Sequence, residues 1–111
     1  TFLGFSFPGA PEAKRFRKAL AEQRVDTIYY KENAWHYAPR WEHLIAGATA
    51  NSKGYPFTNP MYKGTVDYSV DHIPNAEDLL GRSLFMVIPV KMSEERRETV
   101  LRGIEAAAKA L

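Results

Sequence analysis

The chain has 111 residues, which suffice for one domain with a single core. Charged residues at 25% and hydrophobic residues at 45% argue against disorder, and a formal net charge of +2 is too small to indicate binding to nucleic acid or membrane. The absence of cysteine excludes disulfides and thiolate chemistry, and no apolar run is long enough to span a bilayer. The composition therefore predicts a globular domain, which we expect in the cytoplasm.

The first thirty residues alternate between strand and helix patterns. Phe2–Phe7 alternates aromatic and small side chains and is followed by Pro8-Gly9, which is typical of a strand and its end. An amphipathic helix is predicted from Glu12 to Gln23, with an apolar stripe formed by Ala13, Phe16 and Leu20. Thr27–Tyr30 is β-branched and aromatic, which favours a second strand. The chain is thus expected to open as strand, helix and strand.

The remainder combines an irregular stretch with three regular elements. From Gly47 to Ile73 we expect a loop-rich insert that is functional, docked on a partner, or folded over the core of its own domain. Pro74 begins a short helix that ends at Gly81, and the apolar run Leu84–Ile88 predicts a strand. Ser93 is the predicted N-cap of a terminal helix. The apolar stripe of that helix is predicted to comprise Val100, Leu101, Ile104, Ala108 and Leu111.

These elements predict an α+β fold, with a small, mostly antiparallel sheet of about three strands and two longer helices on one face. A strand as apolar as Leu84–Ile88 requires cover on both faces, and the helices cover only one. The other face is expected to lie against the insert, a second domain or another subunit. Because the chain also starts at Thr1 in a strand-like run, we expect residues 1–111 to be one domain of a larger protein.

The densest group of aromatic and polar side chains lies between Val25 and Ile45. Polar residues follow the predicted strand directly and precede a predicted helix that starts near Trp41, so they occupy a turn presented by rigid elements. Asn33 can donate and accept hydrogen bonds, His36 can titrate near neutral pH, and Lys31 provides a point charge. Trp35 offers an aromatic surface for a sugar or a nucleobase. We therefore predict that Lys31, Asn33, Trp35 and His36 bind substrate, although packing is the competing interpretation for each aromatic.

No complete catalytic or metal-binding set is present in the sequence. His36 and His43 are not at metal-ligand spacing, His72 lies elsewhere, and neither a G-x-S-x-G nor a phosphate-loop motif occurs. The basic residues of the first helix (Lys14, Arg15, Arg17 and Lys18) could contact phosphates, but a solvated helix face explains them better. The chain is therefore expected to contribute binding groups, with catalytic, cofactor and metal residues absent.

Two segments resemble a known enzyme family. VDTIYYKENAWHY (residues 25–37) and IPNAEDLLGRSLFMVIPVKMSEE (residues 73–95), followed by a long helix, are similar to the C-terminal small domain of the DegT/DnrJ/StrS family. Its members are fold-type I aminotransferases that use pyridoxal 5′-phosphate (PLP) and act on sugars and sugar nucleotides. The segment after Asn33 looks most like members acting on keto sugars, such as the amino-octulosonate transaminases of lipopolysaccharide biosynthesis.

The resemblance implies a division of labour between two domains. The Schiff-base lysine and the other PLP-binding residues would belong to a large domain preceding this segment, and PLP would supply the electron-sink chemistry. The Lys31–His36 turn would face the sugar, and glutamate would be the usual amino donor. The resemblance also implies that the full enzyme is a homodimer that contacts neither nucleic acid nor membrane. This segment alone is expected to be inactive.

Three alternatives remain open at this point. Some members of the same fold are PLP-dependent sugar dehydratases. A free-standing α+β module could instead bind a ligand or RNA through its basic helix and exposed aromatics. A regulatory or interaction domain would use the aromatics of the insert as a partner surface.

Overall fold

A computed structural model describes residues 1–65, 67–68 and 73–111. The chain divides into two compact units, the first comprising Thr1–Lys31 with Asn75–Leu111 and the second Glu32–Pro74. The described elements are β1 (Phe2–Ser6), α1 (Ala10–Glu22), α2 (Glu42–Ile45), α3 (Pro74–Gly81), β2 (Ser83–Val87) and α4 (Glu94–Lys109). Short 3₁₀ helices occur at Tyr30–Glu32 and Ala38–Arg40.

The sheet of the first unit has two antiparallel strands. β1 pairs with β2 so that Phe2 lies opposite Val87 and Ser6 opposite Ser83. The α+β class is therefore confirmed, but the expected count of three strands is wrong. Ile28 forms only an isolated bridge to Phe85, with backbone N···O distances of 2.6 and 2.9 Å.

The predicted strand at Thr27–Tyr30 is reduced to the single bridge at Ile28, and the residues after it make other contacts. The Tyr29 hydroxyl donates a hydrogen bond to the carbonyl of Gly81 at 2.7 Å, and the Tyr29 ring is buried in the core. A 3₁₀ helix starts at Tyr30, where the strand pattern in the sequence continues. A tertiary contact thus overrides the local β-propensity.

The helix α1 follows its predicted pattern closely. Gly9 is the N-cap, Pro11 lies in the first turn, and the predicted stripe of Ala13, Phe16 and Leu20 is buried. The Phe16 ring packs at a tilted angle on Phe5 and Phe7, with centroid separations of 5.2 and 5.0 Å. This stripe joins α1 to the inner face of the sheet, and the core of the first unit lies between them.

The terminal helix α4 has the predicted cap but a different buried stripe. The Ser93 side chain accepts a hydrogen bond from the Arg96 backbone N–H at 3.2 Å, as an N-cap does. The buried residues are Val100, Gly103 and Ala107, whereas the predicted Leu101 and Leu111 are more than half exposed. A Cβ at Gly103 would lie 2.8 Å from Cγ2 of Val25, so the small residue permits this close approach.

The two faces of β2 differ in burial. Leu84 and Met86 face the helices and are buried in the core. On the opposite face Phe85 is half-buried, with its ring 5.2 Å from that of Tyr30, and Val87 is 53% exposed. The prediction of cover is therefore confirmed for the inner face and partly met at Phe85. Cover of Val87 by a second domain or another subunit stays a prediction.

The second unit contains short helical segments and turns. Its described residues include one 3₁₀ helix at Ala38–Arg40 and the four-residue helix α2, and they include no strand. Side chains of the turns stabilise local backbone: the Thr49 hydroxyl donates to the Tyr55 carbonyl at 2.6 Å, and the Phe57 and Tyr68 rings meet edge to face. The prediction of a loop-rich insert is therefore confirmed over the described residues of this unit.

Candidate functional site

Asn33 organises the turn in which three of the four predicted site residues lie. Its side-chain oxygen Oδ1 accepts hydrogen bonds from the backbone N–H groups of Trp35 at 2.8 Å and His36 at 3.1 Å. The same oxygen lies 3.3 Å from Nδ1 of the His36 ring. This is the Asx-turn geometry that favours asparagine locally. Asn33 therefore positions the turn, and its acceptor oxygen is occupied by that task.

The turn presents one large aromatic side chain to solvent. Trp35 is 86% exposed, and His36 is also exposed. Tyr37, directly after them, is buried, and its backbone N–H donates to the Asn33 carbonyl at 3.1 Å. This closed turn, with a buried residue at its end, leaves the side chains of Trp35 and His36 on the surface.

Lys31, the fourth predicted site residue, belongs to the first unit and has a structural partner there. Its Nζ lies 2.7 Å from Oε1 of Glu77 in α3. The aliphatic part of its side chain lies against Gly81, where an added Cβ would approach Lys31 Cδ at 3.3 Å. The ammonium group of Lys31 thus connects the last residue of the Thr1–Lys31 segment to α3.

A cleft in the first unit was missed by the sequence reasoning. It has a volume of about 360 Å³ and is lined by residues that include Asp26, Ile28, Met86, Val87, Met92 and Arg96. The cleft lies beside the single bridge at Ile28, where Asp26 and Thr27 form no ladder pairs with β2. No sequence motif marks this position.

The basic face of α1 is partly engaged within the protein. Nη2 of Arg15 lies 2.9 Å from Oε1 of Glu12, and the Arg17 guanidinium lies 5.6 Å from the centroid of the Tyr29 ring. Lys14 and Lys18 are exposed. Two of the four cations therefore have packing or ion-pair roles, as expected for a solvated helix that also covers a core.

Over residues 1–65, 67–68 and 73–111, no group of three histidine, aspartate or glutamate side chains is placed to hold a metal ion. His72 lies outside the described residues. Among the helices of those ranges, none has both the length and the apolar character needed to cross a bilayer.

No family model matches the chain, and no curated protein matches its sequence.

Proposed function

We propose that this chain is the substrate-side C-terminal domain of a PLP-dependent sugar aminotransferase. The full enzyme would transfer an amino group, from glutamate, to a keto or aldehyde carbon of a sugar or sugar nucleotide. The observation that carries this proposal is the turn in which Asn33 holds Trp35 and His36 outward. The order of short helix, strand and terminal helix over residues 74–109 supports it as well, because the family resemblance implies that order there. The second strand that the resemblance implies near Ile28 is reduced to a single bridge.

The exposed side chains of this turn match the chemistry of a sugar. An exposed indole ring provides a flat apolar surface for the C–H face of a pyranose, and its N–H can donate a hydrogen bond. The imidazole of His36 can donate to or accept from a hydroxyl group. The turn can therefore orient a sugar, while the described part of the chain offers no residue placed for covalent catalysis.

The residues of this chain do not fit PLP itself. A Schiff-base lysine must lie in a site that holds the cofactor, yet six of the seven lysines are solvent-exposed. The seventh, Lys31, is ion-paired with Glu77, and none of the residues that line the cleft beside β2 is a lysine. The proposal accordingly assigns the cofactor to the large domain that the family resemblance implies, and the role of this chain is confined to binding the sugar.

The test uses the complete reading frame that contains these residues. We expect the purified product to be yellow with PLP and to lose that colour when glutamate is added, as the amino group passes to the cofactor. A keto sugar should then restore the colour. A colourless product that shows no PLP binding would overturn the proposal, and a yellow product that releases water from the sugar without amino transfer would favour the dehydratase alternative.

The RNA-binding alternative makes an opposite prediction for the same protein. Binding through α1 would weaken steeply with salt and would require the exposed cations Lys14 and Lys18. The proposal expects no salt-sensitive binding to a single-stranded RNA probe by this chain.

A further inference from the structure

The backbone N–H and C=O groups of Val87 in β2 point away from β1, the partner strand. The Ile88 N–H donates to the Thr1 carbonyl at 2.8 Å, and the Phe7 N–H donates to the Arg82 carbonyl at 2.9 Å. In residues 82–88, the backbone N–H and C=O groups of the even-numbered residues therefore point towards β1. Phe85 exchanges both of its hydrogen bonds with Ile28 on the other side. By this alternation, the N–H and C=O groups of Val87 point to the side of Ile28.

The residue that should pair with Val87 does not reach it. Continuing the antiparallel register from the Ile28–Phe85 bridge would place Asp26 opposite Val87. Between these two described residues no backbone hydrogen bond forms. The backbone N–H and C=O groups of Val87 therefore lack a partner residue in the described part of the chain, and we call this position the unfilled rung of β2. Such a position is a template for an additional strand.

The cleft of about 360 Å³ lies directly beside this rung. Its walls include Met86, Met92 and Val100, and methionine side chains adapt to differently shaped apolar partners. Two charged side chains, Asp26 and Arg96, also line it. One guanidinium nitrogen of Arg96 donates to the Arg24 carbonyl at 2.9 Å, and other N–H groups of this side chain have no partner among the described residues.

We propose that this cleft binds an extended peptide segment by strand addition at Val87. The peptide accepts a hydrogen bond from the Val87 N–H, donates one to the Val87 carbonyl, and inserts one apolar side chain between Met86 and Met92. An acidic side chain at one end of the segment contacts Arg96, and a basic one at the other end contacts Asp26. This inference does not rest on the proposed enzymatic function, because it uses only residues of the first unit.

The probe is a capped heptapeptide of alternating threonine and valine with a terminal lysine and a terminal glutamate, added to the ¹⁵N-labelled 111-residue chain. With one rung and one side chain in contact, we expect a dissociation constant of roughly 0.1–1 mM. Near saturation the exchange of the Val87 amide proton should slow about tenfold. The exposed Val90 amide, outside the rung, should change little and serves as the internal control.

Three comparisons separate strand addition from unspecific adhesion. Methylation of the central peptide nitrogen should abolish binding, and Val87→Pro in the chain should do the same, because an edge position tolerates proline. Arg96→Ala should weaken binding of the glutamate peptide about threefold or more, whereas Arg97→Ala is the matched control, since Arg97 pairs with Glu94. If Val87→Pro fails to fold, the methylated peptide still decides the question.

Each contrary result overturns the proposal. The first is a methylated peptide that binds as well as the parent. A second is slow exchange of the Val87 amide proton in the free chain that depends on protein concentration. That result would mean that a second copy of the chain pairs with Val87. The third is an unchanged amide spectrum at millimolar peptide.

Discussion

The two units of this chain place their apolar side chains differently. The first unit buries a contiguous core that runs from Phe7 to Tyr29 and from Leu84 to Ala107. In the second unit Tyr37 is buried, whereas Trp35, Met61 and Tyr62 are more than half exposed. Burial of apolar area is the main favourable term in folding. The contrast teaches that the buried core, and with it most of the stability, is concentrated in the first unit.

The largest expected effect comes from the core of the first unit. Leu84 is fully buried at the centre of β2, so Leu84→Ala removes packed methyl groups and leaves a cavity. We expect the free energy of unfolding, measured with urea, to fall by roughly 2–5 kcal/mol. Val87→Ala on the same strand is the control and should change it by less than about 0.5 kcal/mol, because Val87 is 53% exposed. Equal losses for both variants would contradict the assignment of the inner face.

The close approach of α4 gives the next effect. Gly103→Ala places a methyl group 2.8 Å from Cγ2 of the buried Val25, and overpacking of this kind costs roughly 1–3 kcal/mol in unfolding free energy. That cost should exceed the gain of about 1 kcal/mol in helix propensity.

The double-mutant cycle with Val25→Ala isolates the cause of this effect. When the clashing methyl groups of Val25 are removed, Gly103→Ala should become neutral or stabilising relative to Val25→Ala alone. A loss of the same size in both backgrounds would mean that Val25 is not the obstacle.

The turn of the second unit should respond locally. Asn33→Ala removes the acceptor of two backbone N–H groups, and we expect a loss of about 1 kcal/mol confined to the turn. Amide exchange should accelerate at Trp35 and His36 and remain unchanged at Leu84. Asn33→Asp keeps an acceptor in place and should preserve most of the protection. Global unfolding by Asn33→Ala would contradict the separation of the two units.

The smallest effect is expected at the ion pair of Lys31 and Glu77. Both side chains are about one-third exposed, and pairs of this kind contribute roughly 0.2–1 kcal/mol. A double-mutant cycle with Lys31→Met and Glu77→Gln should give a coupling in that range that decreases with added salt. A coupling of zero would leave the lysine available to other partners.

The parts of the fold that the sequence predicts are those determined by local signals. Pro11 in its first turn, the Ala13–Phe16–Leu20 stripe and the Ser93 cap each depend on neighbours within a few residues. The missing strand and the altered stripe of α4 depend on distant contacts, from Tyr29 to Gly81 and from Gly103 to Val25. Neither contact has a sequence signature.

The candidate site follows the same rule. A turn around Asn33 is predicted from the sequence, because polar residues follow a β-rich run and precede a predicted helix there. That its oxygen is occupied by the turn, and that Lys31 is occupied by Glu77, could be learned only from the folded chain. The cleft beside Val87 depends on Asp26 and Thr27 forming no ladder pairs with β2, and no sequence motif indicates this.

The central claim is that the turn of the second unit recognises substrate while the first unit supplies the fold. The most direct measurement compares His36→Ala with His43→Ala, an exposed histidine of α2, in the complete gene product, by amino transfer to a keto sugar and by urea unfolding. We predict that His36→Ala lowers kcat/KM about tenfold or more, equivalent to about 1.4 kcal/mol, with PLP colour and unfolding free energy retained. His43→Ala should leave all of these unchanged. Full activity in His36→Ala, or equal losses in both variants, would contradict the account.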